Sequence, residues 1–294
     1  MKQFLSVILL FLGTSLYAQQ QLFWFITNKK TGFKDAQGNT VIRPAYVYAE
    51  DFSEGLACAG IGANAETGLY GFINPKGDWA IMPQYNLASS FSNGLAAVMM
   101  QGYWGYIDTA GKWVIRPQYH IAKTFSNGYA VVNKNNKWGV IDNKGNFVMP
   151  PEYYGITNIN HGMVAIQKNA GSKWEVIDTK GQKISKHTFT DVKDFNNGMA
   201  PAADDSDKYG FISLTGDWLI KPIYTNAEPF SEGLAAVEVD NHYWGFIDKT
   251  GMMVIPATYS HSGRFINSIA MIDMNMEYWY IDKKGSVIIK CSKY

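Results

Sequence analysis

The sequence has no excess of charge of either sign. Its 26 Lys and Arg residues face 25 Asp and Glu, a formal net charge of +1. With no global positive field and no long basic run, nucleic-acid binding is disfavoured. Cysteine is nearly absent. Cys58 and Cys291 are the only two, too few for a disulfide framework or a zinc ribbon. They leave two readings open: one bridge, if the chain ends meet in an oxidising compartment, or two thiols. After the first residues no apolar run reaches the ~18 residues of a membrane-spanning helix. The signatures of common chemistries are missing too: no G-x-S-x-G, P-loop or dinucleotide fingerprint, and no H-x-x-x-H or H-E-x-x-H among the five histidines. No cofactor or metal is expected, and no enzymatic activity.

Hydrophobic residues make up 47% of the chain and charged residues 17%, which suits a packed core and excludes wholesale disorder. The first residues read as a secretory leader: Lys2, then the apolar run Phe4–Gly13, then a cleavage position after Ala18 with Leu16 at the −3 site. The other reading, an uncleaved anchor helix, needs a longer run to cross ~30 Å of hydrocarbon. The expected organisation is therefore a signal peptide over residues 1–18 and one domain over 19–294. Export to the periplasm or the cell exterior follows. No Cys follows Ala18, which argues against a lipid anchor. Removing Lys2 leaves 25 basic residues against 25 acidic ones.

What the chain has in abundance is repetition. "YWGYIDTAGKWVIRPQY" from Tyr103 is followed 34 residues later by "KWGVIDNKGNFVMPPEY" from Lys137. The Trp or Tyr that marks each copy falls at Tyr70, Trp104, Trp138, Trp174, Tyr209, Trp244 and Tyr278. A degenerate earlier copy at Thr31 and Gly32 makes eight. Each copy holds three short pieces rich in Val, Ile and aromatics, for example Leu95–Val98, Trp104–Asp108 and Trp113–Pro117, which read as strands. D-x-x-G joins the second piece to the third, as at Asp108–Gly111 and Asp142–Gly145. Asp suits the first position of a type I turn and Gly the left-handed position after it. Polar tips such as Asn133–Lys137 and Asp204–Lys208 read as the other hairpin. A Pro then ends the third strand because it cannot donate to a ladder, and a longer crossing leads to "FSEG" or "FSNG" at Phe52, Phe91, Phe125 and Phe230.

A unit of ~35 residues cannot bury its own apolar face. The pairs Val114–Ile115 and Leu219–Ile220 suggest third strands covered on both faces. The expected fold is therefore all-β: eight three-stranded antiparallel units in an open, solenoid-like stack, with a closed propeller-like ring as the alternative. Ordinary propeller blades have four strands and more residues, and atypical end copies suit an open stack. The W-G pair suggests that the Trp of one unit packs near the Gly of a neighbour. Copy five departs from the pattern, with Glu175 at the Gly position and "ISKHTF" over Ile184–Phe189, and reads as a local irregularity or a seam.

These residues resemble the WG-repeat, or KWG-repeat, family, whose unit reads "kWGyID..G..vi.p.Yd.a..FseGlA.v". The resemblance covers almost all of the chain after the leader. It implies a bacterial, β-rich, commonly exported repeat protein and no catalytic activity, and it supplies no functional residue to carry over.

Single residues add little chemistry. Asp108, Asp142, Asp178, Asp248 and Asp282 all stand in D-x-x-G, so turn chemistry accounts for them. Ser53, Ser92, Ser126 and Ser231 recur in "FS.G" and read as turn hydroxyls. "DDSDKYG" from Asp204 lacks the Gly and terminal Glu of an EF-hand loop and reads as a hairpin tip. Trp79, Trp113 and Trp218 share one position after the hairpin Gly, and a row of indoles is the one candidate ligand-binding feature. The expected function is an exported, non-catalytic surface for an unknown envelope protein. The alternatives are a carbohydrate-binding module using those Trp residues, and an enzyme whose site draws on Glu175, His187 and Asp194 of copy five. If inter-unit packing holds the fold, Trp138→Ala lowers the melting temperature sharply; an unchanged melting curve contradicts it.

Overall fold

The D-x-x-G segments do form the tight turns their chemistry favours. Asp142 Oδ1 accepts the N–H of Lys144 and of Asn146, each at 2.9 Å. Gly145 has φ +86°, a value open to Gly at no steric cost. Asp108, Asp178, Asp248 and Asp282 hold their turns through the same two bonds. Asn74 and Ser213 do so in the copies that lack the Asp.

The computed structural model describes residues 22–35, 38–240, 242–266, 268–274 and 277–291. The expected leader over residues 1–18 lies outside the described residues. So does the side chain of Cys291, and with it the pairing of Cys291 with Cys58, whose own thiol is buried. Among the described residues no helix is long and apolar enough to cross a membrane.

The strands form eight small antiparallel sheets, and six of the eight have four strands. This overturns the three-stranded unit. In the third sheet the order is Leu87–Ala88, Leu95–Met100, Tyr103–Asp108, Trp113–Tyr119. The extra strand is the two-residue one, hereafter the lead strand, which pairs with the first long strand through Leu87–Met99 and Ala88–Val98. Two residues are too few for a periodic signal, so the sequence hides it inside the crossing. A four-stranded antiparallel meander is a propeller blade. The chain is thus a succession of β-propeller-type sheets, and the open solenoid-like stack is overturned with the three-stranded unit.

The third strand also differs from expectation. It runs through its Pro to the Tyr beyond, as in Trp113–Tyr119. Trp104 faces Tyr119 while Tyr106 faces Ile115, so three residues oppose five across a bulge. Pro117 lies in that bulge, where no ladder bond is asked of it. Val114 is 42% exposed and Leu219 55%, so this strand is covered on one face only. The strands buried on both faces are the first and second, for example Ala96, Ala97 and Val98 with Tyr106 and Ile107.

The bulge explains the recurring W-G pair. A Cβ on Gly105 would stand 2.5 Å from the Ile115 carbonyl oxygen and 2.7 Å from Pro117 N. Gly71 and Gly210 face the same atoms of their own third strands. The Gly thus serves its own sheet and is no socket for a neighbour's Trp. Trp138 does pack against a core that its own sheet shares with the next, Val164 and Ile166 among its members.

The chain divides into two compact units, residues 1–84 and 85–294. In the first, Phe33 of one sheet meets Phe52 of the next at 5.0 Å between ring centroids, and Tyr46 donates its hydroxyl to Gly77 O at 3.0 Å. In the second, Tyr106 meets Phe125 at 4.7 Å, Phe211 meets Phe230 at 4.8 Å and Phe246 meets Phe265 at 4.8 Å. The Phe of "FS.G" is therefore the plug of the preceding sheet's core. Its Ser is more than a turn hydroxyl: Ser92 Oγ donates to Phe125 O of the next sheet at 2.7 Å, and Ser231 Oγ to Phe265 O at 2.5 Å.

The fifth sheet is a local irregularity that keeps the joint. Its third strand is replaced by two isolated bridges, Ile177–Lys183 and Trp174–Phe189. Ser185 lies against Gly216 of the sixth sheet as Ile115 lies against Gly145, and Phe189 meets Trp218 edge-on as Tyr85 meets Trp113. With no bulge opposite, position 175 tolerates a side chain.

Gly105→Ala isolates the collision, since Ala is otherwise the better strand residue. The expected loss is about 1–3 kcal/mol, read as a drop of roughly 2–4 °C in melting temperature per kcal/mol. A melting temperature equal to that of the wild type contradicts the contact.

Candidate functional site

One register position recurs in seven sheets and carries five different residue types. Just after the lead strand, one residue donates its N–H to a carbonyl of the first long strand: Glu50 to Cys58, Ser89 to Ala97, Lys123 to Val131, Thr157 to Ala165, Lys193 to Pro201, Glu228 to Ala236 and Gly263 to Met271. The next residue varies as freely: Asp51, Ser90, Thr124, Asn158, Asp194, Pro229, Arg264. After that comes the core plug, Phe in six copies and Ile159 in the remaining one. A backbone held by the ladder and an anchored ring thus fix two positions whose side chains are left open to change.

In the unit of residues 85–294, three of these pairs converge on a cavity of about 490 Å³. Lys193, Asp194, Glu228, His261 and Arg264 carry its polar groups. Lys193 Nζ reaches Glu228 Oε1 at 2.8 Å and Asn226 Oδ1 at 2.9 Å. Asp194 accepts from Asn158 N at 2.8 Å and Asn158 Nδ2 at 3.2 Å, and lies 3.6 Å from Lys123 Nζ. Behind the lining, burial first and then the hydroxyl's bond to Asp191 push the Tyr209 phenol well up. Ser262 Oγ donates to Gly263 O at 3.2 Å and is buried. The His261 ring lies 5.9 Å from the Trp244 ring. Arg264 is exposed and has no ion pair among the described residues. The arrangement is one of charge recognition, with opposite charges fixed in place around an open space.

In the unit of residues 1–84, a cavity of about 310 Å³ is lined by Trp24, Ile26, Val47, Tyr48, Glu50 and Asp51. Tyr48 donates its hydroxyl to Glu50 Oε1 at 2.9 Å. Burial first, and Glu50 second, raise the Asp51 carboxyl above its ordinary pKa.

The structure places the indoles of Trp79, Trp113 and Trp218 at the start of their third strands, half-buried. Each meets an aromatic of the preceding sheet edge-on: Tyr46 at 5.6 Å, Tyr85 at 5.9 Å and Phe189 at 5.5 Å. The copy-five residues have separate surroundings. Glu175 lies 2.6 Å from Lys168 Nζ and 3.2 Å from Lys183 Nζ, and the Lys168 bond first of all holds its carboxyl low. His187 is exposed, and Asp194 faces Asn158 and Lys123. At the tip from Asp204, Oδ1 is taken by Ser206 and Lys208. No group of three His, Cys, Asp or Glu suited to a metal occurs among the described residues. The varying pair was missed by motif reading, which looks for what repeats. The available signal was the two residues before each core Phe, where the copies disagree.

Seven stretches of the chain, residues 32–62, 70–104, 104–138, 138–174, 176–205, 209–243 and 244–278, match the family described as WG containing repeat. No protein of curated function matches the chain in sequence. Several solved structures are similar in fold. A structure of a eukaryotic initiation factor has a TM-score of 0.61 at 12% identity, covering 94% of this chain and 85% of that one. The dihydro-heme d1 dehydrogenase NirN, solved in complex with DHE, has a TM-score of 0.56 at 10% identity, covering 93% and 73%. BamB from Moraxella catarrhalis has a TM-score of 0.50 at 13% identity, covering 93% and 94%. Identities this low bear on the fold alone.

The D-x-x-G carboxylates give a prediction in acid. The Asn146 amide first of all lowers the Asp142 pKa, the Thr250 hydroxyl that of Asp248, and the Ser286 N–H that of Asp282. Depressed folded values mean that this contribution is whole above the unfolded carboxyl pKa of about 4 and is lost as pH falls through the folded values. Below pH of about 4 the wild-type melting temperature should therefore fall more steeply than that of D142N/D248N/D282N, whose amides can accept as Asn74 does. Parallel slopes contradict it.

Proposed function

Because this chain belongs to the family of WG containing repeat proteins, we propose that it is an exported, non-catalytic scaffold that binds a protein partner through the varying pair positions of its blades. The observation that carries this reading is the division of labour within each copy. The recurring letters are consumed by turns, bulges and sheet-to-sheet joints. The non-recurring pair stands on that frame, and three such pairs line one cavity. A rigid frame presenting variable side chains is the arrangement that repeat proteins use for partner recognition. Fold alone decides nothing here, since one of the similar structures is named a dehydrogenase. The reading therefore rests on the site, where the groups brought together are fixed opposite charges. Export rests on Lys2, the run Phe4–Gly13 and Ala18.

The test pairs protein capture with a glycan array. Cross-linking of the full-length protein in envelope extract should recover a polypeptide, and replacing Lys193 and Arg264 together by Glu should abolish that recovery. Recovery that survives both replacements contradicts the reading. Glycan binding that disappears in Trp113→Ala would instead support a carbohydrate-binding module built on Trp79, Trp113 and Trp218.

A further inference from the structure

The charges around the 490 Å³ cavity do not contribute equally. Lys193 is held by Glu228 and Asn226. Asp194 is held by Asn158 and Lys123. Glu228 is the partner of Lys193. Arg264 alone among these charged side chains projects into solvent without an ion pair among the described residues. Beside it stands Gly263, at the register position where the other six sheets carry Glu, Ser, Lys, Thr, Lys and Glu. A Cβ there would meet only Met271 O, at 3.2 Å. The wall is thus lowered next to the one cation that is still unneutralised.

We propose, resting on the scaffold reading above, that this cavity captures a carboxylate of the partner polypeptide on the Arg264 guanidinium. The guanidinium offers a planar fork of N–H donors that matches a carboxylate two-for-two. The fixed carboxylates of Asp194 and Glu228 line the same space. Their charges are met by Lys123 and Lys193, so Arg264 is left to receive an anion. The carboxylate belongs either to an acidic residue of the partner or to its C-terminus.

Two fluorescein-labelled probes separate these sources: hexaglutamate with an amidated C-terminus, and a Gly-Ser hexapeptide with a free C-terminal carboxylate. Binding to the full-length protein is followed by fluorescence anisotropy at low salt. At least one probe should bind, and Arg264→Ala should weaken it about tenfold or more, the loss of a charge-assisted pair. Arg264→Lys should restore only part, because an ammonium lacks the fork. Lys249→Ala, on an exposed hairpin, should leave binding unchanged. Binding of hexaglutamate alone assigns a side-group carboxylate, and binding of the Gly-Ser peptide alone assigns the C-terminus. If neither probe binds, or if Arg264→Ala binds as the wild type does, the proposal is overturned. A cross-linked partner still recovered with Arg264→Ala leaves the scaffold reading standing without it, and no recovered partner ends both.

Discussion

The burial of one sheet's aromatic ring under the next sheet's Phe is the interaction on which the rest depends. A single sheet of this size has a first and a second strand that are apolar on both faces, as Ala96, Ala97 and Val98 show beside Tyr106 and Ile107. It cannot dry those faces alone. Tyr106 and Phe125 are both fully buried and meet across consecutive sheets. Burying a Phe of this kind is worth about 1.5–3 kcal/mol, and the aromatic pair adds about 0.5–1.5 kcal/mol. The Ser92 hydroxyl, whose bond to Phe125 O crosses the same joint, contributes about 0.5–1.5 kcal/mol net. The ring supplies most of the stability. The hydroxyl fixes where the ring sits.

A second constraint sits inside each sheet and explains the family's most visible letters. The third strand bulges at its Pro, and that bulge presses backbone atoms onto the second strand at the Gly. Only the absence of a Cβ allows the approach. The fifth sheet shows the converse. Its third strand is gone, the pressure is absent, and Glu175 occupies the position with Lys168 and Lys183 around it. The Ser185 and Phe189 positions nonetheless meet the sixth sheet as Ile and Tyr do elsewhere. The joint between sheets survives where the ladder within one does not, so the joint is the stronger requirement.

This ordering also accounts for what could be read from the letters. Turns were legible because an Asp followed three positions later by a Gly carries a complete local mechanism, as at Asp142 and Gly145. The copy number was legible because a Trp or Tyr recurs at near-constant spacing in the second strand of nearly every module, as at Trp104 and Trp138. The lead strand was not: Leu87–Ala88 has two residues, and no periodicity exists in two. The role of Gly was misplaced for a related reason. A missing Cβ says that something approaches closely, and only coordinates say that the visitor is Pro117 of the same sheet and not a neighbour's Trp. Val114 and Leu219 misled in the same way, since an apolar letter in a strand does not state which face is covered.

Repetition and specificity pull against each other in such a molecule, and the blade resolves the conflict by position. A residue that must plug a core or turn a hairpin has no freedom, because its neighbours in the next copy are fixed by the same demand. The pair after the lead strand is different: its backbone is satisfied by the ladder, as when Lys193 N–H meets Pro201 O, and three such pairs line the open space of the cavity. The same backbone bond carries Lys–Asp, Glu–Pro and Gly–Arg in different copies. Variation at those positions costs the fold little, and any partner that reads the molecule by its side chains must read it where copies differ. The mixed-sign cavity around Arg264 follows from that logic. It is the place where a frame built from eight near-identical modules stops being identical.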